Sequence, residues 1–407
     1  EAPGTAIAPG VLDLFMSRSN SNSYLVAGDD GDVVINVGTG YQGARHRQRF
    51  EELLGRPLRV RAMVLTQGHP DHFGGWEAFA DDHVEIYAQE RFLVLHEERM
   101  QLRDFFLPRT TAIMGRKIGW HDEVRRNAYW NPSVPSLTNA FRETCSFEVS
   151  GRVFELRSVT GGESLDGVIV WLPRERIVFV GNLLGALFPQ FPHLSTIRGD
   201  RARSAGDYIR DVNRVIALQP QLLVTGHEEP IQGADRIRRE LIRLRDSVAY
   251  LRQYTITGMS AGTDLWTLMD KVSLPAELEP EFLRGPLRWY VRSVWEELAG
   301  WVRFETPAEL YTVPPCAVWP RLAELAGGAT TLARAARDYV DSGNAVEAIH
   351  LTDIALAVQP DHSESLHTRL AALKILLERT QGQPFDEIAY LESEIARLRS
   401  QVATSGV

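Results

Sequence analysis

The 407-residue sequence predicts an α/β domain followed by an all-α region, and three features carry that reading. Up to about residue 235, short β-branched runs alternate with amphipathic stretches, the mark of strands interleaved with helices. Within that half, the stretch Leu65-Thr66-Gln67-Gly68-His69-Pro70-Asp71-His72-Phe73-Gly74-Gly75 lies between a strand-like run, 58–65, and a helix-like start at 76–79. From residue 319 the chain becomes rich in Ala and Leu. Gly343-Asn344-Ala345, Ala348, Ala355-Leu356 and Pro360 are spaced there as in paired helices of tetratricopeptide type.

Taken in order, residues 12–15, 23–27 and 33–36 read as short strands, with Asp29-Asp30-Gly31 supplying an Asp-Gly turn. Residues 43–54 form a charged amphipathic helix, and 85–88 a strand. The stretch 89–114 is helical in character with an interruption expected at Pro108, which lacks the N–H a helix interior needs. After a loop at 132–138, residues 147–149 and 153–159 form a hairpin across Ser150-Gly151. Strands follow at 169–172 and 176–180, a helix at 200–217, a strand at 222–224, and helices at 235–253, 285–301 and 386–402. The run Asp361-His362-Ser363-Glu364 reads as a capping box. A single unit of paired helices cannot bury its own apolar face, so the tail must pack on the first domain or on a second chain.

Composition narrows the function classes. Apolar residues make up 44% and charged residues 24%, the balance of an ordinary globular protein rather than a disordered or fibrous one. A net charge of -9 argues against nucleic acid as a partner, though it leaves room for a local basic pocket. There is no apolar run of the ~18–20 residues that a membrane span needs. A cytoplasmic location is expected, with a periplasmic or secreted one left open because the chain begins at Glu1. The two cysteines, Cys145 and Cys316, have no metal-type spacing and are expected to be buried or inert.

The chemistry concentrates in His69, Asp71 and His72. Neutral imidazole and carboxylate together suit a borderline divalent ion such as zinc, which lowers the pKa of bound water towards neutrality when one coordination position stays open. The plainer alternative is a polar turn in which these side chains bond locally. Clustering of three such residues ahead of Gly74-Gly75 favours the metal.

Residues 66–75 resemble the T-H-x-H-x-D-H-x-G-G signature of the metallo-β-lactamase superfamily, with Gln67 where the first His stands. Asn22-Ser23-Tyr24-Leu25-Val26 with 33–38, Val178-Phe179-Val180-Gly181-Asn182 and Val224-Thr225-Gly226-His227 fit the same family in order. Thr196-Ile197-Arg198-Gly199, 256–283 and 327–377 narrow the resemblance to the alkyl sulfatase branch. The resemblance implies an αββα sandwich at 1–235 and a helical connecting region over the site at 236–317. It also implies an α-helical, tetratricopeptide-like dimerisation domain at 318–407, with no sterol-carrier-like domain after it. It further implies a homodimer acting on a small-molecule substrate.

For the site, the resemblance implies metal ligands at His69, Asp71, His72, Glu163 and His227, with Asp71 also catalytic. Glu163 lies in the Gly-rich turn 160–167, where Asp166 is the competing candidate and an ordinary surface turn the plain alternative. Gln67 and Asn182 stand where the family has a histidine and a metal-bridging carboxylate, and a neutral amide serves poorly in both roles. Asn36 stands where the family has an Asp that supports the metal loop, keeping the hydrogen bonding without the charge. One zinc ion at Asp71, His72 and His227 is therefore expected, with the first position weak or empty. Arg198 matches an arginine used against sulfate oxygens, while Trp289 and Tyr290 replace a sulfate-binding His-Asn pair and could contact substrate or simply pack. The implied activity is metal-dependent hydrolysis of a sulfate ester, with carboxylic ester, lactone and thioester as further options. A catalytically impaired ligand-binding or regulatory protein on the same scaffold is the alternative from another class.

Overall fold

The strand-rich half builds two sheets because its strands carry apolar side chains on both faces, so that each face must be covered. The computed structural model describes residues 4–8, 13–115, 123–185, 191–280 and 283–404. Among these, the first sheet has seven strands whose spatial order follows the chain: Thr5–Ala6, Leu14–Ser17, Ser23–Val26, Asp32–Ile35, Val60–Val64, Glu85–Gln89 and Asn139–Phe141. Pairing is antiparallel up to Asp32–Ile35 and parallel beyond it. The second sheet runs Ile231–Gln232, Leu222–Val224, Ile177–Phe179, Gly167–Leu172, Arg152–Val159 and Thr144–Val149. Only its Ile177–Phe179 and Leu222–Val224 strands pair in parallel.

Alternation along each strand assigns the layers. Val33, Ile35, Ala62 and Val64 from the first sheet meet Val168, Val170, Leu172 and Phe179 from the second in one inner core. Val34 and Met63 face outwards to Phe50 of the helix Gly43–Leu54 and to Phe92. On the far side, Ile169, Trp171 and Val178 pack against Tyr208, Val212 and Val215 of the helix Ala205–Leu218, and against Leu241 and Val248 of the helix Ala234–Ser260. This is the helix–sheet–sheet–helix sandwich expected from the sequence.

Several local readings differ. The interruption in the helical stretch after Gln89 is at Leu102, between helices Phe92–Gln101 and Arg103–Met114, while Pro108 sits inside the second helix. Pro108 forfeits only the bond its own N–H would have made, which one helix tolerates, and the turn at Leu102 changes direction without it. Trp76–Ala78 is a single 3-10 turn; the helix after the metal loop is the short Pro70–Phe73. The helix expected from residue 200 starts at Ala205, because Ser204 caps it by accepting from the Asp207 backbone N–H at 3.1 Å. The helix expected from 362 is capped by His362 itself, which accepts from the Ser365 backbone N–H at 3.3 Å. Glu123–Trp130 adds a helix that the sequence reading did not separate. The hairpin across Ser150-Gly151 is present, and both residues take the left-handed conformation that a two-residue turn of this kind requires.

By packing, the chain falls into two compact units: residues 1–283 with 287–297, and residues 284–286 with 298–407. The boundaries expected at 235 and 317 fall inside these units, the former within Ala234–Ser260. The second unit is all helical. Its helices Ala329–Asp341, Ala345–Val358 and Ser363–Arg379 approach closely through Ala336, Ala345, Ala348 and Ala372, all fully buried. Cys145 is half-buried and Cys316 is exposed in the 3-10 turn Pro315–Val318, so the second thiol is not a core group. Among the described residues, no helix is long and apolar enough to cross a membrane.

Candidate metal centre

The strand Val60–Val64 delivers Thr66 to Asn36, just past the strand Asp32–Ile35. Both the backbone N–H and the hydroxyl of Thr66 donate to Asn36 Oδ1, each at 3.0 Å. Asn36 takes a left-handed conformation, which a short amide side chain tolerates better than most. The chain then turns through Pro70–Phe73, where Pro70 occupies a first-turn position that needs no N–H. Gly75 permits the return: a Cβ there would lie 2.6 Å from the Gly43 Cα. The loop is thus pinned at both ends before any ligand is considered.

Three predicted residues converge. Asp71 Oδ2 lies 3.7 Å from His72 Nε2 and 3.7 Å from His227 Nε2, and donor atoms of the three side chains all fall within 4.8 Å of one another. The two imidazoles meet edge to face at 5.2 Å. His227 Nδ1 donates to the Asn20 carbonyl at 2.5 Å, which leaves its Nε2 with a free lone pair. A Cβ on Gly226 would stand 2.9 Å from the His72 ring, so only glycine lets His227 follow so closely. Two imidazoles and a carboxylate gathered in this way fit a borderline divalent cation such as zinc.

Asn182 stands among them. Its Nδ2 is 3.1 Å from His72 Nε2, 3.3 Å from His227 Nε2 and 3.2 Å from Glu163 Oε2. On the other side of Glu163, Gln67 Nε2 is 2.8 Å from His69 Nδ1 and His69 Nδ1 is 3.9 Å from Glu163 Oε2. Of the two carboxylates considered in the Gly-rich turn, Glu163 is the one that faces this group. Asp166 instead accepts from the Gly68 backbone N–H at 2.7 Å and from the Ser164 hydroxyl, bracing the loop from behind.

Electrostatics follows from burial and pairing. Burial holds His69 down to about 3, with Arg99 adding to the effect, and holds His72 down to about 4; both are neutral near pH 7. Burial pushes the Asp71 carboxyl up, but His72, His227 and His69 together pull it below its ordinary value. Glu163 is driven well below the carboxylate range against its own burial, by His193, Arg203 and His69. Asp166 is raised by burial.

The sequence reading missed His193 and Arg99. His193 is buried with Nδ1 3.6 Å from Glu163 Oε1, and its carbonyl accepts from Arg203 Nη1 at 2.5 Å. No spacing relates it to the other histidines, so only the fold could bring it in. Arg99 stacks near the rings of Tyr129 and Trp130, at 5.8 and 5.5 Å, and its charge reaches His69. Arg198 is half-buried, and its charge and that of Asp71 both act on Tyr129. Tyr290, for which substrate contact and packing were both open, is 1% exposed and packs 4.4 Å from Phe191 in the core outside the second sheet. Trp289, next to it on Leu287–Ala299, is half-buried.

The fold and this convergence define a sandwich whose loops from both sheets assemble a metal-binding group. Residues 16–227 match the metallo-beta-lactamase superfamily, and the chain belongs to that superfamily. Residues 267–393 match the alkyl sulfatase dimerisation family. Among curated proteins, the chain is 26% identical over 365 residues to a linear primary-alkylsulfatase of Pseudomonas sp., covering 84% of this chain and 67% of that one. It is 24% identical over 388 residues to an (R)-specific secondary-alkylsulfatase of Pseudomonas sp., covering 89% of this chain and 58% of the relative. The fold of a stereoselective inverting sec-alkylsulfatase from Pseudomonas sp. superimposes with a TM-score of 0.83 at 22% identity, covering 98% of this chain and 66% of that one. The chain thus spans roughly three fifths to two thirds of the length of these relatives.

Proposed function

We propose that the protein is a metal-dependent hydrolase of sulfate esters that works with one divalent ion, zinc, at Asp71, His72 and His227. The observation that carries the reading is the convergence of those three side chains within 4.8 Å, on loops fed by both sheets. When bound, such an ion supplies a Lewis acid and a lowered pKa for water. The chain's own residues do the rest. Asp71, held ionised between two imidazoles, orients the attacking group, and the guanidinium of Arg198 offers a planar, two-toothed match to sulfate oxygens. Gln67 and Asn182 leave the first position short of a histidine and of an anionic bridge, which supports a single ion. The named activities of the alkylsulfatase relatives favour a sulfate ester over a carboxylic ester, lactone or thioester.

The test is elemental analysis of protein purified without chelator, coupled to turnover of a linear alkyl sulfate and of a carboxylic ester. About one zinc per chain with sulfate ester cleavage is expected, and Asp71→Ala should lose both. Two ions per chain would remove the one-ion reading. No metal even after added zinc would favour the second reading, a ligand-binding protein on this scaffold. One observation leans that way: the Asn182 amide nitrogen stands between His72, His227 and Glu163, within 3.3 Å of a polar atom of each.

The second unit supports a homodimer. Trp301, Phe304, Tyr311 and Leu325 are 76%, 93%, 74% and 69% exposed, more large apolar surface in one short stretch than a lone soluble chain usually shows. The stretch lies within the residues matched to the dimerisation family.

A further inference from the structure

We infer that Arg109, on the helix Arg103–Met114, is a positioning residue for Arg198: by holding the backbone of the segment 196–201 against that helix, it sets where the sulfate-binding guanidinium stands. The inference deepens the proposed function and rests on the part given there to Arg198.

Arg198 needs such a support. Among the described residues no helix or strand covers 191–204, so the segment has no ladder of its own to fix it. A long side chain on an irregular segment keeps its aim only if the backbone beneath it is held from outside. The hold comes from a helix 89 positions earlier in the chain. Arg109 Nε donates to the Arg198 carbonyl at 2.9 Å, and its Nη2 to the Ile197 carbonyl at 3.5 Å. A guanidinium spans two successive carbonyls in this way because its N–H groups lie in one rigid plane, whereas a lysine ammonium is a point charge without such a fork. One turn back on the same helix, the Phe105 ring faces the Arg109 guanidinium, whose carbon is 4.7 Å from the ring centre. Arg109 is thus fixed between a ring of its own helix and the carbonyls it holds.

Two further contacts tie the segment to the helices Phe92–Gln101 and Arg103–Met114. Gly199, with φ 92°, passes flat against the ring pair: a Cβ there would stand 3.1 Å from Phe106 Cε1 and 3.4 Å from Phe105 Cε1. Just beyond it, Arg201 Nε donates to Glu98 Oε2 at 3.0 Å and its Nη2 to Glu98 Oε1. An exposed ion pair adds little by itself, but this one is two-toothed and holds the segment on the far side of Gly199. From within, the buried Arg203 donates to Asp200 Oδ2 at 2.9 Å and to the His193 carbonyl at 2.5 Å. The division of labour between the two arginines follows. Nε and Nη2 of Arg109 are committed to main-chain oxygens, while the charge of Arg198 reaches Tyr129, which also feels Asp71 of the metal centre.

The test is a double-mutant cycle on turnover of a linear alkyl sulfate by the full chain with zinc. Arg109→Ala should lower kcat/KM by roughly 10–100-fold, up to the loss that a misplacement of about 1 Å causes. Arg109→Ala added to Arg198→Ala should cost nothing further, because the group it places is then gone. Additive losses would overturn the inference, since Arg109 would then meet the anion itself or act only on stability. A second measurement needs no substrate. Tryptic cleavage after Arg198 in the native protein, followed by mass spectrometry, tracks how often the segment stands open and should be roughly 10-fold faster in Arg109→Ala. Equal cleavage, or faster cleavage with unchanged kcat/KM, would also overturn the inference. If the wild type cleaves no alkyl sulfate, the proposed function falls; faster cleavage would still support the hold of Arg109 on the segment, and equal cleavage would refute it.

Discussion

Replacing Asn182 by Asp puts the centre under a measurable electrostatic load. The side chain's nitrogen lies 3.2 Å from Glu163 Oε2, and Glu163 is ionised at neutral pH because its surroundings hold it well below the carboxylate range. Two unit negative charges at that distance, at an effective dielectric of about 20, repel by about 5 kcal/mol. Proton uptake limits the cost: holding a carboxyl protonated at pH 7, about three units above its ordinary pKa, costs about 4 kcal/mol at about 1.4 kcal/mol per unit. In the metal-free protein the variant should therefore unfold below the wild type by on the order of 10 °C, since ~1 kcal/mol moves a domain of this size by about 2–4 °C. The raised carboxyl gives the sign of the pH effect. Its cost is full above its shifted pKa and fades on acidification, so the deficit should shrink to about 1 kcal/mol near pH 5. Zinc should then stabilise the variant more than the wild type, because a cation relieves the repulsion. Differential scanning calorimetry at two pH values, with chelator and with zinc, reads all three effects. An Asn182→Asp protein with wild-type melting in chelator and no larger gain from zinc would refute the reasoning, because Glu163 could not then be a close, ionised neighbour.

Three further outcomes are expected. His46 and His69 are held down to about 3 and His72 to about 4, chiefly by burial. Below about pH 6.5 the unfolded chain therefore binds protons that the folded one refuses, and metal-free stability should fall from pH 6.5 towards 4 by up to ~1.4 kcal/mol per pH unit for each histidine. Urea titrations across that window check this, and a flat profile would contradict it. Arg198→Ala should lower kcat/KM for an alkyl sulfate by roughly 10–150-fold, the equivalent of a charged hydrogen bond of ~1.5–3 kcal/mol, with a much smaller effect on a neutral carboxylic ester; equal losses on both would remove Arg198 from sulfate recognition. Phe304→Asp combined with Leu325→Asp should turn a dimer into a monomer in light scattering, and a dimer unchanged by both would locate the interface elsewhere.

The strands of the sandwich were legible because they announce themselves, while their arrangement in two layers came from the family resemblance. Runs such as Val33-Val34-Ile35 and Val168-Ile169-Val170 are apolar on both faces, which is what a sheet covered on both sides requires. Of the trio, Asp71 and His72 were legible as neighbours in one turn, whereas His227 was reached only through the resemblance of Val224-Thr225-Gly226-His227 to the family. His193 was not, since its place beside Glu163 depends on a chain path that no short spacing encodes. The orientation of Asn36 was not either. Its identity is visible in the sequence, but which of its two terminal atoms meets Thr66 is decided by one backbone N–H brought to it by the parallel pairing of Asp32–Ile35 with Val60–Val64. Tyr290 stayed open between substrate contact and packing because tyrosine serves equally as a polar contact and as core filling, and only the fold shows its ring among core neighbours.

The centre draws Asp71 and His72 from the first sheet, and Glu163, Asn182 and His227 from the second. The sheets are also stitched here by backbone bonds, from Val168 N–H to the Thr66 carbonyl at 2.8 Å and from Asn22 N–H to the Gly226 carbonyl at 2.7 Å. The site is therefore a clasp across a seam. Whatever occupies it does mechanical service as well as chemical: it ties together two halves that have separate hydrogen-bond ladders, beside the few bonds that cross between them. A ligand held by this clasp resists any opening that parts the sheets, and its tightness appears as slower amide exchange in strands of both.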